Sequence, residues 1–355
     1  MTQHLDLVHR IPCHVDSFVI AGDRLFGCAR YGDAYEATIV DLAAQRVLST
    51  LKCRRQTPSV AVAGDVMFVG EYQRSILVVD VRDPAKPEPF DAVVQFRREL
   101  THFVVHEGLL AAAAGDDGVF VLDVRDPRRV RSMPLLAIPG KESHVEQLCQ
   151  RGDTIYAACR QAGCAILRVA GGVLRERGRI APHELRVDHV LASERCLWLF
   201  GSSDEDDAGL VVVDRASGDV RYRGKTHISH PPTLVDVPGG ALGFHQHYTA
   251  SFFDDRDASI RRVFQQFEYR DDRAYLELEM VTKPPDDDDD SGDDEDSGEE
   301  KGDGLVVSYE GVDQERRSAC FDNADWYVRR GESLIAAHGR KELCIWKPRP
   351  GSVFG

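Results

Sequence analysis

The chain has 355 residues, 43% of them hydrophobic, and a formal charge of −15. Asp286–Glu300 (DDDDDSGDDEDSGEE) holds 11 acidic residues and no base. Without it the charge is −4, so the folded body has no positive excess with which to bind a phosphate backbone, and no direct nucleic acid partner is expected. The N-terminal MTQHLDLVHRIPCHV lacks a basic stretch followed by an apolar one. No window approaches 18 consecutive apolar residues, so a soluble, cytoplasmic protein with no membrane segment is expected.

In chain order, the body reads as a repeated strand-turn unit. Ile76–Pro84 (ILVVDVRDP) returns as Val119–Pro127 (VFVLDVRDP) and more loosely as Leu210–Gly218 (LVVVDRASG). Each copy is a β-branched, apolar run that stops at an Asp and enters an Asp-Pro or Ser-Gly turn. A polar turn leading into an apolar run recurs with its first apolar residue at Leu25, Met67, Leu109, Ile155, Leu197, Leu242 and Leu334, at spacings of 42, 42, 46, 42, 45 and 92. A period of about 40–45 residues with several short strands per unit predicts an all-β, seven-bladed β-propeller forming a single domain over residues 1–355. The last gap is one unit plus an insertion, 284–304, which contains the acidic run.

In blade one the expected strands are His14–Ile20, Arg24–Tyr31, Ala34–Leu42 and Gln45–Cys53. The outer strands of blades two to five end near Gln95, Ile138, Ala181 and His227. Blade six begins near Pro232, with long strands over Ala241–Phe253, Ser259–Arg270 and Arg273–Lys283, and then Leu305–Tyr309 beyond the insertion. The last unit offers Ala319–Val328, Glu332–His338 and Lys341–Lys347 and is one strand short. The alternating segment His4–Ile11 has the character of an outer strand and is expected to supply the fourth, closing the ring and removing two free sheet edges.

These residues carry a resemblance. The VVDVRDP segment with its preceding strand resembles the LVIVP-repeat β-propellers, a WD40-like architecture. Gly118–Pro127 (GVFVLDVRDP) matches best, Ile76–Pro84 well with Arg82 in place of the usual Ser, and Gly209–Asp214 in part. Arg168 and Trp346 stand near where blades four and seven would have the Asp. The resemblance implies the propeller fold and an interaction module, and little about activity.

Candidate chemistry lies at the starts of the inner strands. HVDSFV (His14–Val19), HVEQLC (His144–Cys149), RVDHVL (Arg186–Leu191) and NADWYV (Asn323–Val328) share a polar residue, a small apolar one and a carboxylate. Inner strands line the central channel, so Asp16, Glu146, Asp188 and Asp325, with His14, His144 and Arg186, could ring one mouth and bind a divalent cation, or host metal-assisted hydrolysis. The alternative is that each acid is satisfied locally, repeated because the blade repeats. Pro58, Leu100 and Thr233 interrupt the ring. His245 and His247 share one face of a strand, but a zinc site needs further ligands, and only His227 and His230 are near.

Nine cysteines fall mostly within apolar runs and read as reduced core residues; no other cofactor is implied. Arg (36) far exceeds Lys (8), a bias that suggests a GC-rich bacterial gene. No nucleophile elbow, phosphate loop or zinc-protease helix is present. The acidic run, sampled by Asp286, Asp290, Asp294 and Glu299, repels itself, is expected to be disordered, and could bind a basic protein partner. Two functions follow: a non-enzymatic scaffold for protein–protein interaction, or a metal-binding or hydrolytic propeller with its site at the channel mouth.

Overall fold

The computed structural model describes residues 2–348 apart from 14, 16, 30–34, 54–58, 72–74, 96–99, 141–142, 183–184, 203–207, 226–232, 238–239, 245–248, 271–272, 281–323, 331–332 and 339–341; for some strands only the backbone is described. His14, Asp16, His245, His247, the acidic run and Leu305–Tyr309 lie outside the described residues.

The chain opens with β1 (Thr2–Pro12). Five four-stranded antiparallel sheets follow in chain order. The first is β2 (Ser17–Ala21), β3 (Arg24–Cys28), β4 (Glu36–Asp41) and β5 (Arg46–Lys52); the second is β6 (Ser59–Ala63), β7 (Val66–Glu71), β8 (Ser75–Asp80) and β9 (Glu88–Gln95). The third is β10 (Thr101–His106), β11 (Leu109–Ala113), β12 (Val119–Asp123) and, after a 3-10 turn at Pro127–Arg129, β13 (Arg131–Ser132). The fourth is β14 (Gln147–Arg151), β15 (Thr154–Ala158), β16 (Cys164–Ala170) and β17 (Val173–Ile180); the fifth is β18 (Arg186–Ala192), β19 (Cys196–Ser202), β20 (Ala208–Asp214) and β21 (Val220–Lys225).

Beyond these come β22 (Thr233–Val237), β23 (Gly240–Phe244), β24 (Thr249–Asp254), β25 (Ser259–Arg270) and β26 (Arg273–Met280), then β27 (Ala324–Arg330), β28 (Ser333–His338) and β29 (Glu342–Pro348). With β1 they form one nine-stranded sheet, in the order β22-β23-β24-β25-β26-β1-β29-β28-β27. β1 pairs antiparallel with β29, Leu5 opposite Pro348 and Ile11 opposite Leu343, as the alternation of His4–Ile11 predicts. The expected single strand Ala241–Phe253 is instead two strands, β23 and β24, paired from Gly240↔Asp254 to Phe244↔Ala250.

The second strands are mostly apolar because both of their faces are covered. β11 is buried throughout, and its period of two divides it between two cores: Leu109, Ala111 and Ala113 pack toward the fourth sheet, Leu110 and Ala112 toward the second. Successive sheets share such clusters along the chain. Ile11 of β1 and Leu343 of β29 join the first sheet's Phe18, Leu25 and Val40, while Ala241 and Phe253 of the nine-stranded sheet join the fifth sheet's Trp198 and Phe200. The first strands stand side by side from β2 through β6, β10 and β14 to β18, and β27 lies beside both β22 and β2.

The Asp that ends the third strand is an Asx-turn anchor, a carboxylate accepting backbone N–H groups just ahead. Asp41 accepts from Ala43 and Ala44 (2.9 and 2.8 Å), Asp80 from Arg82 (3.0 Å), Asp214 from Ala216 and Ser217 (2.9 and 3.1 Å), and Asp254 from Arg256 (2.9 Å). In the Asp-x-Arg copies the guanidinium folds back on the same carboxylate, at 2.5 Å for Arg82–Asp80 and Arg125–Asp123 and 2.6 Å for Arg256–Asp254. Those bonds, chiefly the Arg125 side chain's, hold Asp123 down at about 2, and the equivalent bonds lower Asp80 and Asp254. Outer strands β5, β9, β17 and β21 each carry a register shift, which breaks up edges that would otherwise invite pairing.

Candidate functional site

The starts of the first strands and the loops joining second to third strands converge on one side of the sheets. Two five-residue loops are built alike. Ala114 N–H donates to Gly118 O and Cys159 N–H to Gly163 O, at 3.0 and 2.8 Å, and each loop then pairs with the entry to the next sheet through the bridges Gly115↔Val145 and Arg160↔Val187. Gly118 and Gly163 have φ of +95° and +80°, and a Cβ there would sit 2.4 and 2.2 Å from the carbonyls of Leu136 and Ile180. Only glycine fits these positions.

The bridges bring together the side chains singled out in the sequence. His144 Nδ1 lies 2.6 Å from Asp116 Oδ1, and its Nε2 lies 3.7 Å from Glu146 Oε1. The same Glu146 oxygen accepts from Arg160 Nε at 2.5 Å and also meets Arg160 Nη2. In the fifth sheet Arg186 Nε donates to Asp188 Oδ1 at 3.1 Å. The imidazole therefore stands between two carboxylates, and Glu146 and Asp188 are each matched by a guanidinium. Among the described residues, no group of three or more His, Cys, Asp or Glu side chains is arranged to hold a metal ion.

Asp188 and Asp325 share a backbone peculiarity: each is the residue skipped by a register shift, between Val187 and His189 and between Ala324 and Trp326. β10 skips His102 in the same way, at φ +40°. Backbone just past two of these bulges is held from the preceding sheet, Phe103 N–H, one residue on, donating to Ser59 Oγ (3.3 Å) and Val190 N–H, two residues on, to Gln147 Oε1 (2.9 Å). Asp188 and Asp325 therefore mark bulges that turn the strand entry. Asp116 and Arg160 escaped the sequence reading because they lie in the loops between second and third strands. The matching Ala-Gly-Asp-Asp-Gly and Cys-Arg-Gln-Ala-Gly stretches before an apolar strand were the available signal.

A second polar cluster is internal. Asp255, in the turn after β24, reaches into the β18–β19 turn: Ser193 Oγ lies 2.5 Å from Asp255 Oδ1, and Arg195 N–H donates to Oδ2 at 3.1 Å. Ser193 Oγ also accepts from Trp198 Nε1 and from Cys196 N–H, both at 3.2 Å. Arg221 donates to the Asp255 and Arg256 carbonyls at 2.6 and 2.5 Å. Ser193, Trp198 and Asp255 are at most 1% exposed, so this network is a structural tie between sheets. Nothing in the sequence marks it. Four thiols are held protonated: burial pushes Cys53 up to about 12 and Cys159 and Cys196 up to about 11, and raises Cys164 well above the usual thiol value.

No known family model matches the sequence, and no curated protein does so. Solved structures do match. BamB from Moraxella catarrhalis aligns at 10% identity over 97% of this chain and 97% of its own, with a TM-score of 0.61. The Cps50 (Swd1) β-propeller domain of Myceliophteria thermophila aligns at 12% identity over 97% and 99%, with a TM-score of 0.56. The fold is a β-propeller. The computationally designed Ika8 protein is a further similar structure, at 9% identity over 94% and 96% and a TM-score of 0.58. At such identities the likeness establishes the propeller fold alone, with the five four-stranded sheets as blades one to five. No helix among the described residues of this propeller is long and apolar enough to cross a membrane.

Proposed function

We propose that the chain is a seven-bladed propeller acting as a non-enzymatic, cytoplasmic scaffold for protein–protein interaction, akin to the LVIVP-repeat propellers, with its acidic run as the element that engages a basic partner. The observation that carries this reading is the pairing of the mouth side chains with one another: Glu146 with Arg160, His144 with Asp116, Asp188 with Arg186. Such a surface offers matched charge to a partner, and among the described residues no three His, Cys, Asp or Glu side chains form an open ligand set. Ring closure through β1 is supported by its pairing with β29 and by Ile11 and Leu343 packing on blade one. Deleting Met1–Pro12 is expected to unfold or aggregate the protein, and an unchanged melting temperature would refute the closure.

Asp286, Asp290, Asp294 and Glu299 are the positions assigned to partner binding. Affinity capture from the native host, with Asp286–Glu300 intact or replaced by a Gly-Ser linker, tests the assignment. Loss of a basic partner with the linker is expected, and identical captures would remove the run from the binding surface.

A divalent cation at the mouth is a second reading, favoured by the approach of Asp116 and Glu146 to one imidazole at 2.6 and 3.7 Å. Asp16, Glu146, Asp188, Asp325, His14 and His144 are its ligands in this reading, and Arg160 must leave Glu146 for the cation to enter. Calorimetric titration with calcium, zinc and manganese decides it, and no heat at millimolar metal would dismiss it.

A further inference from the structure

The outer segments of blades three, four and five depart from the charge of the rest of the body. Residues 127–140, 173–182 and 219–225 hold nine Lys and Arg against two acids, Glu176 and Asp219. Arg179 occupies Glu176, donating to it at 2.9 and 3.0 Å, and Arg221 is turned onto the Asp255 carbonyl. Six guanidinium groups remain, Arg128, Arg129, Arg131, Arg175, Arg177 and Arg223. All are exposed and none is in an ion pair or side-chain hydrogen bond among the described residues, although Arg128 and Arg131 act through space on Asp80 and Asp123. The stripe passes from blade to blade, since the Arg125 guanidinium of blade three reaches to 3.4 Å from where a Cβ on Gly172 of blade four would stand.

The same segments carry exposed apolar surface. Of five large apolar side chains that stand exposed among the described residues, four, Leu135, Val173, Val220 and Tyr222, lie here. Exposed arginines interleaved with exposed aliphatic and aromatic groups are the composition of a docking surface for an acidic chain segment.

We propose that this rim is the docking surface for the chain's own acidic run, Asp286–Glu300. The two are complementary in charge, 11 carboxylates against six exposed arginines, and the run is followed by the apolar Leu305, Val306 and Val307. The tether reaches. Asp286 is six residues past the end of β26 at Met280. Twenty residues of extended chain span up to about 66 Å, against a radius of gyration of about 20 Å for a compact chain of this length. Tethering supplies an effective concentration of about a millimolar, so a contact with Kd about 0.2 mM holds the run docked about five-sixths of the time. Docked, the run is withheld from a basic partner, and that partner must displace it. This consequence rests on the scaffold reading; the docking itself does not.

The test uses the full chain with no partner present, so its outcome is independent of whether that reading holds. A Glu-specific endoprotease cuts the run after Glu295, Glu299 and Glu300, and mass spectrometry gives the rate. At low salt the run in the full chain should be cut about sixfold more slowly than a free peptide of residues 284–304, as the docked fraction above requires. About 0.5 M NaCl, where screening shortens to about 4 Å, should abolish the protection. Arg129→Gln/Arg175→Gln/Arg223→Gln should abolish it at low salt with an unchanged melting temperature, while Arg46→Gln on blade one leaves it intact. Equal cutting of the full chain and the free peptide at low salt overturns the proposal, and that arm needs no variant. Protection that rises with protein concentration assigns the run to a second copy and overturns docking in cis. An oligonucleotide that binds through the three arginines without altering cleavage makes the rim a nucleic acid surface and overturns it equally.

Discussion

Ser193→Ala measures how strongly the internal network ties blade five to its neighbour. A hydroxyl has one proton to give, and the 2.5 Å separation from Asp255 against 3.1 Å from the Cys196 carbonyl assigns that proton to the carboxylate. The substitution removes this charge-assisted hydrogen bond, worth about 1.5–3 kcal/mol, and leaves the Trp198 indole N–H without its acceptor, costing about 1–3 kcal/mol more. Trp198 is fully buried and packed edge-on against Phe253 at 5.1 Å, so water has little access to repair the loss. The expected destabilisation is about 3–5 kcal/mol, or about 6–10 °C in Tm at roughly 2 °C per kcal/mol for a large domain. Urea denaturation of Ser193→Ala, Asp255→Ala and the double variant gives the coupling, expected at about 1–3 kcal/mol. A single-variant cost below about 1 kcal/mol, or additivity within about 0.5 kcal/mol, would show that the groups do not act as a unit.

Three further outcomes follow from the turns and the thiols. Gly163→Ala places a Cβ 2.2 Å from the Ile180 carbonyl at φ +80° and should cost about 2–4 kcal/mol by denaturant titration. Gly152→Ala, at φ +60° but in open space, should cost only about 1–2 kcal/mol. Asp123 is held at about 2 against an ordinary 3.8, so the stability it contributes is complete above about pH 4 and is lost as the pH falls toward 2. Asp123→Asn should flatten the acid limb of a Tm-against-pH profile in that window, and an unaltered limb would contradict the Arg125 pairing. With Cys53 at about 12 and Cys159 and Cys196 at about 11, labelling of these thiols by a disulfide reagent at pH 8 should be at least about 100-fold slower in the native protein than in urea.

The strand units were legible because hydrophobic period and turn chemistry are local. Leu25, Met67, Leu109, Ile155 and Leu197 all open or nearly open second strands, and His4–Ile11 lies within β1. The Asp of the VVDVRDP segment was legible as an end to a strand, although the fold-back of Arg82 and Arg125 was not. The mouth was only half legible. His144, Glu146 and Asp188 could be picked out at strand entries, but Arg160 meets Glu146 only once β14 and β15 pair, and Asp116 reaches His144 only once the third and fourth sheets pack. Bulges at Asp188 and Asp325 depend on the pairing ladder, which no single strand encodes. Asp255 was invisible because it completes a network in a different blade.

The alternation within β11 implies how the propeller came to be built and how it can fail. A strand whose odd residues belong to one neighbour and even residues to the other has no private core. A blade cut out alone would expose two bare faces, so it is a poor candidate for an autonomous folding unit or for shuffling as a module. Damage at a central position should be felt in three blades at once, whereas the outer strands, bound along one edge only, are where sequence is free to drift.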